Sequence, residues 1–387
     1  MRIPTRLGLA VATALATTAA LAPAAPASFA AEDTHGHGNP SGTGGRHAVF
    51  VQTDNPAGNR IAAYQRGEDG TLTPDGSYDT GGLGGVLEGS VADHLASQGS
   101  LTYDPRHQRL FAVNAGSDTI SVFTVDGDRL ELSQVIGSGG RFPVSIAVHD
   151  DLVYVLNALD GASVQGYAFG HGRLIRMADW HRGLGLDPNA APQFTHTPGQ
   201  VGFTDDGSQL VVTTKANGSS LVVFGIAPSG APASAPVVTA DPGGVPFGFV
   251  TGGHRRLQVT EAGPNALATF TVGADGAATR TTAAATGQTA TCWVTATGDF
   301  LYASNAGSST LSGFRLDRQG RPVLIGTTPT HPGTVDSAAS ADGRFLYVQT
   351  GIEGIVDEFR VDDAGSLTVL GSQTVPGAIG GEGIVAF

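Results

Sequence analysis

The sequence has a single cysteine, Cys292, among 387 residues. No internal disulfide is possible, so stability must come from a large apolar core. Charge is sparse, with 14% Asp, Glu, Lys and Arg, and the formal net charge is −13. No Lys/Arg cluster interrupts that negative balance, which argues against a nucleic-acid or anionic-membrane partner, because neutralising phosphates needs a basic face. Beyond residue 30 no apolar run approaches the roughly 20 residues that cross a bilayer. The motifs of several enzyme classes are also missing: no G-x-S-x-G, no H-E-x-x-H and no Walker A loop. The glycines of 81–85 do not fit a dinucleotide fingerprint. With one cysteine a cysteine zinc site is excluded, and neither a metal nor a cofactor is expected.

What the chain does have begins with a leader. Arg2 and Arg6 precede an apolar run from Leu7 to about Leu21, followed by Pro23, Pro26 and the small-residue site Ser28-Phe29-Ala30. This layout predicts a secretory signal peptide over 1–30, cleaved near Ala30, and an extracellular protein. A membrane anchor is the competing reading. Residues 31–45 are polar and glycine-rich and read as a flexible linker, in which His35 and His37 offer at most weak metal binding. Glycine is abundant at 57 residues, and with few charges this favours a turn-rich all-β chain.

Residues 46–387 repeat. LFAVNAGSDTISVFTV (110–125), FLYASNAGSSTLSGFRL (300–316) and FLYVQTGIEGIVDEFRV (345–361) each pair two alternating apolar segments around an Asn/Gly-rich turn. A further short apolar segment lies on either side, giving four strands per unit, which is the pattern of a propeller blade. The position of Asn114 recurs at Thr53, Asn114, Asn157, Thr214, Glu261, Asn305 and Thr350, with gaps of 61, 43, 57, 47, 44 and 45. A blade takes about 40–45 residues, so the chain predicts a seven-bladed β-propeller with insertions at 81–97 and 176–194. The first unit lacks an inner strand, and EGIVAF (382–387) is an inner strand without a blade. The C-terminal strand is therefore expected to complete the first blade and close the ring. Six blades plus a stray strand is the competing count.

Both insertions are expected on the face that carries the Asn/Gly turns, the top. Long loops on one face of a rigid ring commonly mark its binding face; here they either do so or merely cap the channel. VADHLAS (91–97) is compatible with one short helix. The starts of the inner strands, Ser100, Ser145, Gln200, Phe247, Thr291, Asp336 and Glu382, should ring the top mouth, joined by Asn114, Asn157, Lys215, Glu261 and Asn305 from neighbouring turns. Polar and apolar groups converging on a concavity make the default site for a small molecule or glycan. The ligand-binding candidates are Asn114, Ser145, Asn157, Gln200, Phe247, Asn305 and Asp336, although Asn also suits such turns structurally. Lys215 and Glu261 occupy equivalent turns of adjacent blades, so they form either a salt bridge or a carboxylate–ammonium pair at the pocket mouth. Asp179, His181, Arg182 and His196 supply acid/base groups if the second insertion folds over the channel, and solvated surface otherwise.

The repeats FTDDGSQLVVTTKANGSSLVVFGI (203–226) and SADGRFLYVQTGIEGIVDEFRVDDAGSLTVLG (340–371) resemble those of the seven-bladed lactonase-type propellers, which include 6-phosphogluconolactonase-like and 3-carboxymuconate-cyclase-like proteins. The resemblance implies a hydrolase of carbohydrate metabolism that opens a lactone at the top of the channel. The Pro-Arg-His and Asn-Glu of that family's enzymes stand here as Pro198-Gly199-Gln200 and Thr214-Lys215, and a Pro-His in an earlier blade as Pro143-Val144 or Pro143-Ser145. The family's His, Arg and Glu are thus absent at the aligned places. Lactone chemistry needs an acid/base and a cation for the developing oxyanion. Lys215 is the candidate cation, with Glu261 or His196 as acid/base. The alternative is a monomeric, non-catalytic extracellular scaffold that binds protein or glycan.

Overall fold

Inner and middle strands pack between neighbouring blades, and outer strands face solvent; the residue pattern follows this. In the blade at 291–329 the second strand, Phe300–Asn305, is buried almost throughout, while the fourth, Pro322–Pro329, is exposed at most positions. Buried-on-both-faces strands read as apolar runs rich in Val, Leu, Tyr and Phe, and half-solvated ones alternate.

A computed structural model describes residues 47–387. The expected leader, linker, His35 and His37 lie outside the described residues. The described strands form seven four-stranded antiparallel sheets, so the seven-bladed all-β propeller is borne out. Blade 1 consists of Ala48–Gln52, Arg60–Arg66 and Leu72–Asp79 with the C-terminal strand Ile384–Ala386 added inside. Blades 2 to 7 span 101–137, 143–183, 198–240, 246–285, 291–329 and 334–374. The ring closes as expected, by Val49↔Ala386, Phe50↔Val385 and Val51↔Ile384.

Neighbouring blades are riveted at a recurring position. Tyr154, Tyr302 and Tyr347, all buried in second strands, donate their hydroxyls to the carbonyls of Gly230 (2.6 Å), Gly365 (2.8 Å) and Gly70 (2.7 Å) in the next blade's outer hairpin turn. These turns need glycine: Gly70 has φ +92°, and a Cβ there would sit 2.2 Å from the Phe345 ring.

Two local expectations are corrected. Residues 91–97 form bends rather than a helix, because Asp93 turns its carboxylate onto the N–H groups of Leu95 (2.7 Å) and Ser97 (2.9 Å). The stretch 176–194 is only partly a loop. Its first residues belong to the outer strand of blade 3, Arg173–Gly183, which absorbs extra length in a bulge between Gln165 and Tyr167 of its partner. Asp179, His181 and Arg182 therefore lie on the outer edge of the ring. Arg182 donates to the Pro232 (2.6 Å) and Ala233 (2.8 Å) carbonyls of blade 4, and none of the three folds over the channel.

Candidate functional site in the central channel

The first insertion does reach the top mouth, and it seals it. Ser97 Oγ donates to the Val144 carbonyl of blade 3 (2.9 Å), and Gln98 N–H to the Gly199 carbonyl of blade 4 (3.0 Å). The Gln98 carboxamide spans the channel, donating to the carbonyl and accepting from the N–H of Val294 in blade 6, both at 2.9 Å. Gly248 makes room for it, since a Cβ there would stand 2.1 Å from Gln98 Oε1. Trp293 Nε1 donates to Ser97 O (2.6 Å), His94 N–H to Gly380 O (2.8 Å), and Gly99 N–H to Glu382 Oε1 (3.0 Å). The backbone of His94, Gln98 and Gly99 is thus satisfied against the wall of the ring, and that of Leu95 and Ser97 by Asp93, as a buried segment requires.

Beneath this plug lies a buried polar cluster. Asp54, Asp93, Asp336 and Glu382 are at most 5% exposed, and Lys215 is 2% exposed. Asp54 accepts from Gln52 Nε2 and from Glu382 N–H (2.8 Å). Burial disfavours the charged form of every one of these groups. It pushes Asp54 up to about 8, Asp336 to about 7 and Asp93 to about 6, and it holds Glu382 well above the usual carboxylate range. Lys215 is pushed down to about 7, opposed by the Asp93 carboxylate. Asp336 also accepts from Ser337 N–H (2.9 Å), and its carboxyl neighbours that of Glu382, which its charge pushes further up.

The channel is open from the opposite face, that of the Asp-Gly turns. A cavity of about 520 Å³ runs between the lower halves of the inner strands, and Gln98, Gln200, Asp336 and Ser337 line it. Asp205 and His149 also line it, and Asp205 belongs to an Asp-Gly turn of that face. Gln200 Oε1 accepts from Phe249 N–H (2.6 Å), which directs its Nε2 donor elsewhere. Asp336 is the one carboxyl of the buried cluster that lines this cavity among the described residues.

The other candidates from the sequence are placed differently. Asn114 and Asn305 are fully buried and latch their own hairpins, donating to Ser121 Oγ (2.8 Å) and Ser312 Oγ (3.0 Å). Asn157 donates to Ser138 O (3.2 Å), so all three serve turn structure. Ser145 is fully buried and bonds the plug at Gln98 O (2.7 Å). Phe247 stacks edge-on against Trp293 (4.9 Å) under the plug, and Lys215 Nζ lies 5.1 Å over its ring. Lys215 and Glu261 do not pair: Lys215 donates to Ala96 O, while Glu261 holds Arg280 through two bonds of 2.7 and 2.6 Å. An ammonium can satisfy itself on plug carbonyls, and Glu261 finds a guanidinium on its own blade's outer strand. His196 ends the short helix Gln193–His196, where its Nδ1 meets Thr195 Oγ1 (2.8 Å) and Pro192 O (3.0 Å), away from the cavity. Sequence reasoning missed Asp54, Asp93 and Gln98; the only signal was their polarity amid turn residues. Among the described residues no three His, Cys, Asp or Glu side chains are arranged to hold one metal ion, and no helix is long and apolar enough to cross a membrane.

No curated protein matches the sequence. The family model described as lactonase, 7-bladed beta-propeller, matches residues 255–379. Among solved structures, a candidate 6-phosphogluconolactonase of Bacteroides fragilis superposes with a TM-score of 0.71 at 18% identity, covering 90% of this chain and 100% of that one. The periplasmic gluconolactonase of Pseudomonas aeruginosa gives 0.67 at 18%, covering 88% and 98%. A hypothetical selenium-binding protein from Sulfolobus tokodaii gives 0.65 at 9%, covering 88% and 93%, so at these identities the likeness is one of fold. The chain is similar to the seven-bladed lactonase-type propellers, in the sequence of residues 255–379 and in the architecture of the whole ring.

Proposed function

We propose that this protein is an exported hydrolase of small lactones that works from the Asp-Gly face of its channel rather than from the plugged top. The observation that carries the reading is Asp336, a carboxyl near its ionisation midpoint at neutral pH that both lines the open cavity and is backed by a second carboxyl, Glu382. Asp336 acts as general base on water. Glu382, whose burial and neighbouring carboxylates favour its protonated form, stands behind it. The free Nε2 of Gln200 is placed to donate to the lactone carbonyl as negative charge builds on its oxygen. Export rests on the leader read at 1–30.

The test is hydrolysis of a lactone panel followed by pH-stat against the spontaneous rate, with the wild type and Asp336→Asn side by side. Saturable acceleration lost in the variant supports the assignment; a wild-type rate equal to background refutes it. The plug also favours a second reading, a non-catalytic scaffold for protein or glycan, because it covers the mouth where the family's His, Arg and Glu would gather. Background rates across the panel would move the protein to that reading.

A further inference from the structure

We infer that the channel selects its ligand by charge, admitting uncharged ring esters and rejecting phosphorylated or carboxylated ones, with Asp205 as the residue that sets this at the mouth. The inference rests on the hydrolase reading for its chemistry, but its binding part stands on the cavity alone. The side chains that line the cavity include two carboxylates, Asp205 and Asp336, and one imidazole, His149, but no Lys or Arg.

Asp205 is fixed: its carboxylate accepts from the N–H groups of His254 (3.0 Å) and Arg255 (2.8 Å). The nearby guanidinium of Arg255 is directed to Asp206 instead, with Nη1 3.7 Å from Oδ2. The buried cluster behind Asp336 adds no cation to this lining, since its single ammonium, Lys215, lies over the Phe247 ring and is bonded to Ala96 O of the plug. A phosphate or carboxylate is held by Arg, by Lys or by convergent N–H groups. This cavity offers carboxylates in their place, and low-dielectric walls strengthen the repulsion.

A neutral polyhydroxy ring suits the same lining, since its hydroxyls can donate to the carboxylates and accept from Gln200 Nε2. Charge selection also serves turnover. The oxygen of water adds to the lactone carbonyl carbon, the ring C–O bond breaks, and the ring oxygen takes up a proton to become a hydroxyl. The new acid ionises, releasing a proton to solvent, and its carboxylate meets a wall that disfavours anions.

Two assays separate this inference from the hydrolase reading. In the first, kcat/KM is measured at about pH 7.5 and low salt for gluconolactone and 6-phosphogluconolactone, with the wild type, Asp205→Lys, Asp205→Asn and Thr251→Lys, Thr251 being an exposed residue that also lines the cavity. The two lysine variants place a cation at the rim independently, so misfolding of one does not end the test. The wild type should prefer the neutral lactone at least tenfold. Either lysine variant, or about 0.5 M salt, should narrow that preference several-fold, because screening shortens the reach of charges.

In the second assay, gluconolactam and its 6-phosphate are titrated into the wild type by calorimetry, and only the neutral lactam should bind. No turnover with selective lactam binding sinks the hydrolase reading and keeps charge selection. Turnover or binding of the phosphorylated compound equal to or above the neutral one overturns it, as does failure of both lactams to bind.

Discussion

Asp336, on the inner strand of blade 7, and Glu382, just ahead of the strand that completes blade 1, are neighbouring buried carboxyls, and the charge of Asp336 pushes the Glu382 carboxyl up. Glu382 is held above the usual range by burial and by the carboxylates of Asp336, Asp93 and Asp54. In the singly ionised pair we place the proton on Glu382, which is surrounded by three other carboxyls, and the charge on Asp336, which faces the open cavity. The roles predict an asymmetry. Asp336→Asn should lower lactone kcat by about 10²–10⁴-fold, the usual worth of a general base. Glu382→Gln keeps a neutral side chain beside Asp336 and should cost far less. Equal losses in the two variants, read by pH-stat, would contradict the division of labour.

The buried carboxyls also set a pH dependence of stability. Asp54 and Asp336 hold protons in the folded state up to about 8 and about 7, but lose them near 4 when unfolded. Between those limits the native state binds more protons, so stability falls as pH rises from about 4 to 8. Their contribution is complete below the unfolded values and lost through the folded ones. Lys215, pushed down to about 7, acts in the opposite sense above neutrality. The thermal midpoint should therefore decline from about pH 5 to about pH 8. Asp54→Asn should flatten that decline, because it removes a proton-binding site whose affinity differs between the folded and unfolded chains, and every tenfold of that difference is worth about 1.4 kcal/mol. Asn tolerates the left-handed backbone that Asp54 adopts at φ +50°. A midpoint that rises with pH over this range would refute the account.

The plug can be loosened without replacing any residue of the cluster. Gly351 lies against the plug, and a Cβ there would stand 1.6 Å from Ala92 O. Its own φ is not in the left-handed region, so Gly351→Ala should act through the clash alone. Residues 88–98 should then become protease-sensitive and exchange their amide hydrogens faster, while the blades keep their protection. Uniform loss of protection across all seven blades would show instead that the plug is integral to the ring.

The ring itself was legible because it is written in local pattern. Asp206-Gly207 and Asp342-Gly343 mark turns that the structure places at φ +67° and +70° for glycine, and the orphan segment 382–387 pointed to closure. The site was legible only in outline. Asp336 and Glu382 could be placed at inner-strand starts from the repeat, but Asp93 meets the cluster only through the path of an irregular segment, which no periodicity encodes. Glu261 found Arg280 two strands away within its own blade rather than Lys215 in the next, a choice made by side-chain reach and not by blade equivalence. Asn114 and Asn305 recur for the same reason that they are unavailable to a ligand: each caps its own hairpin.

Closure of the ring should dominate its resistance to unfolding. Ile384–Ala386 supplies the inner strand of blade 1, and Phe387 adds paired bonds with Ala48 (3.2 and 3.1 Å) and stacks on Tyr103 at 4.4 Å. Deleting residues 384–387 would leave the backbone groups of Ala48 and Phe50, now buried, without partners, at about 1–3 kcal/mol each. It would also uncover Phe50, which is fully buried. Phe387→Ala removes only the ring contacts and should cost about 1–2 kcal/mol. The deletion should therefore lower the thermal midpoint by well over about 10 °C or yield insoluble protein, and the point variant by a few degrees. Adding a peptide of sequence EGIVAF to the truncated protein should recover part of the loss, since an open inner edge accepts a strand by backbone pairing. Equal midpoints for the truncated and intact proteins would mean that the ring holds without its clasp.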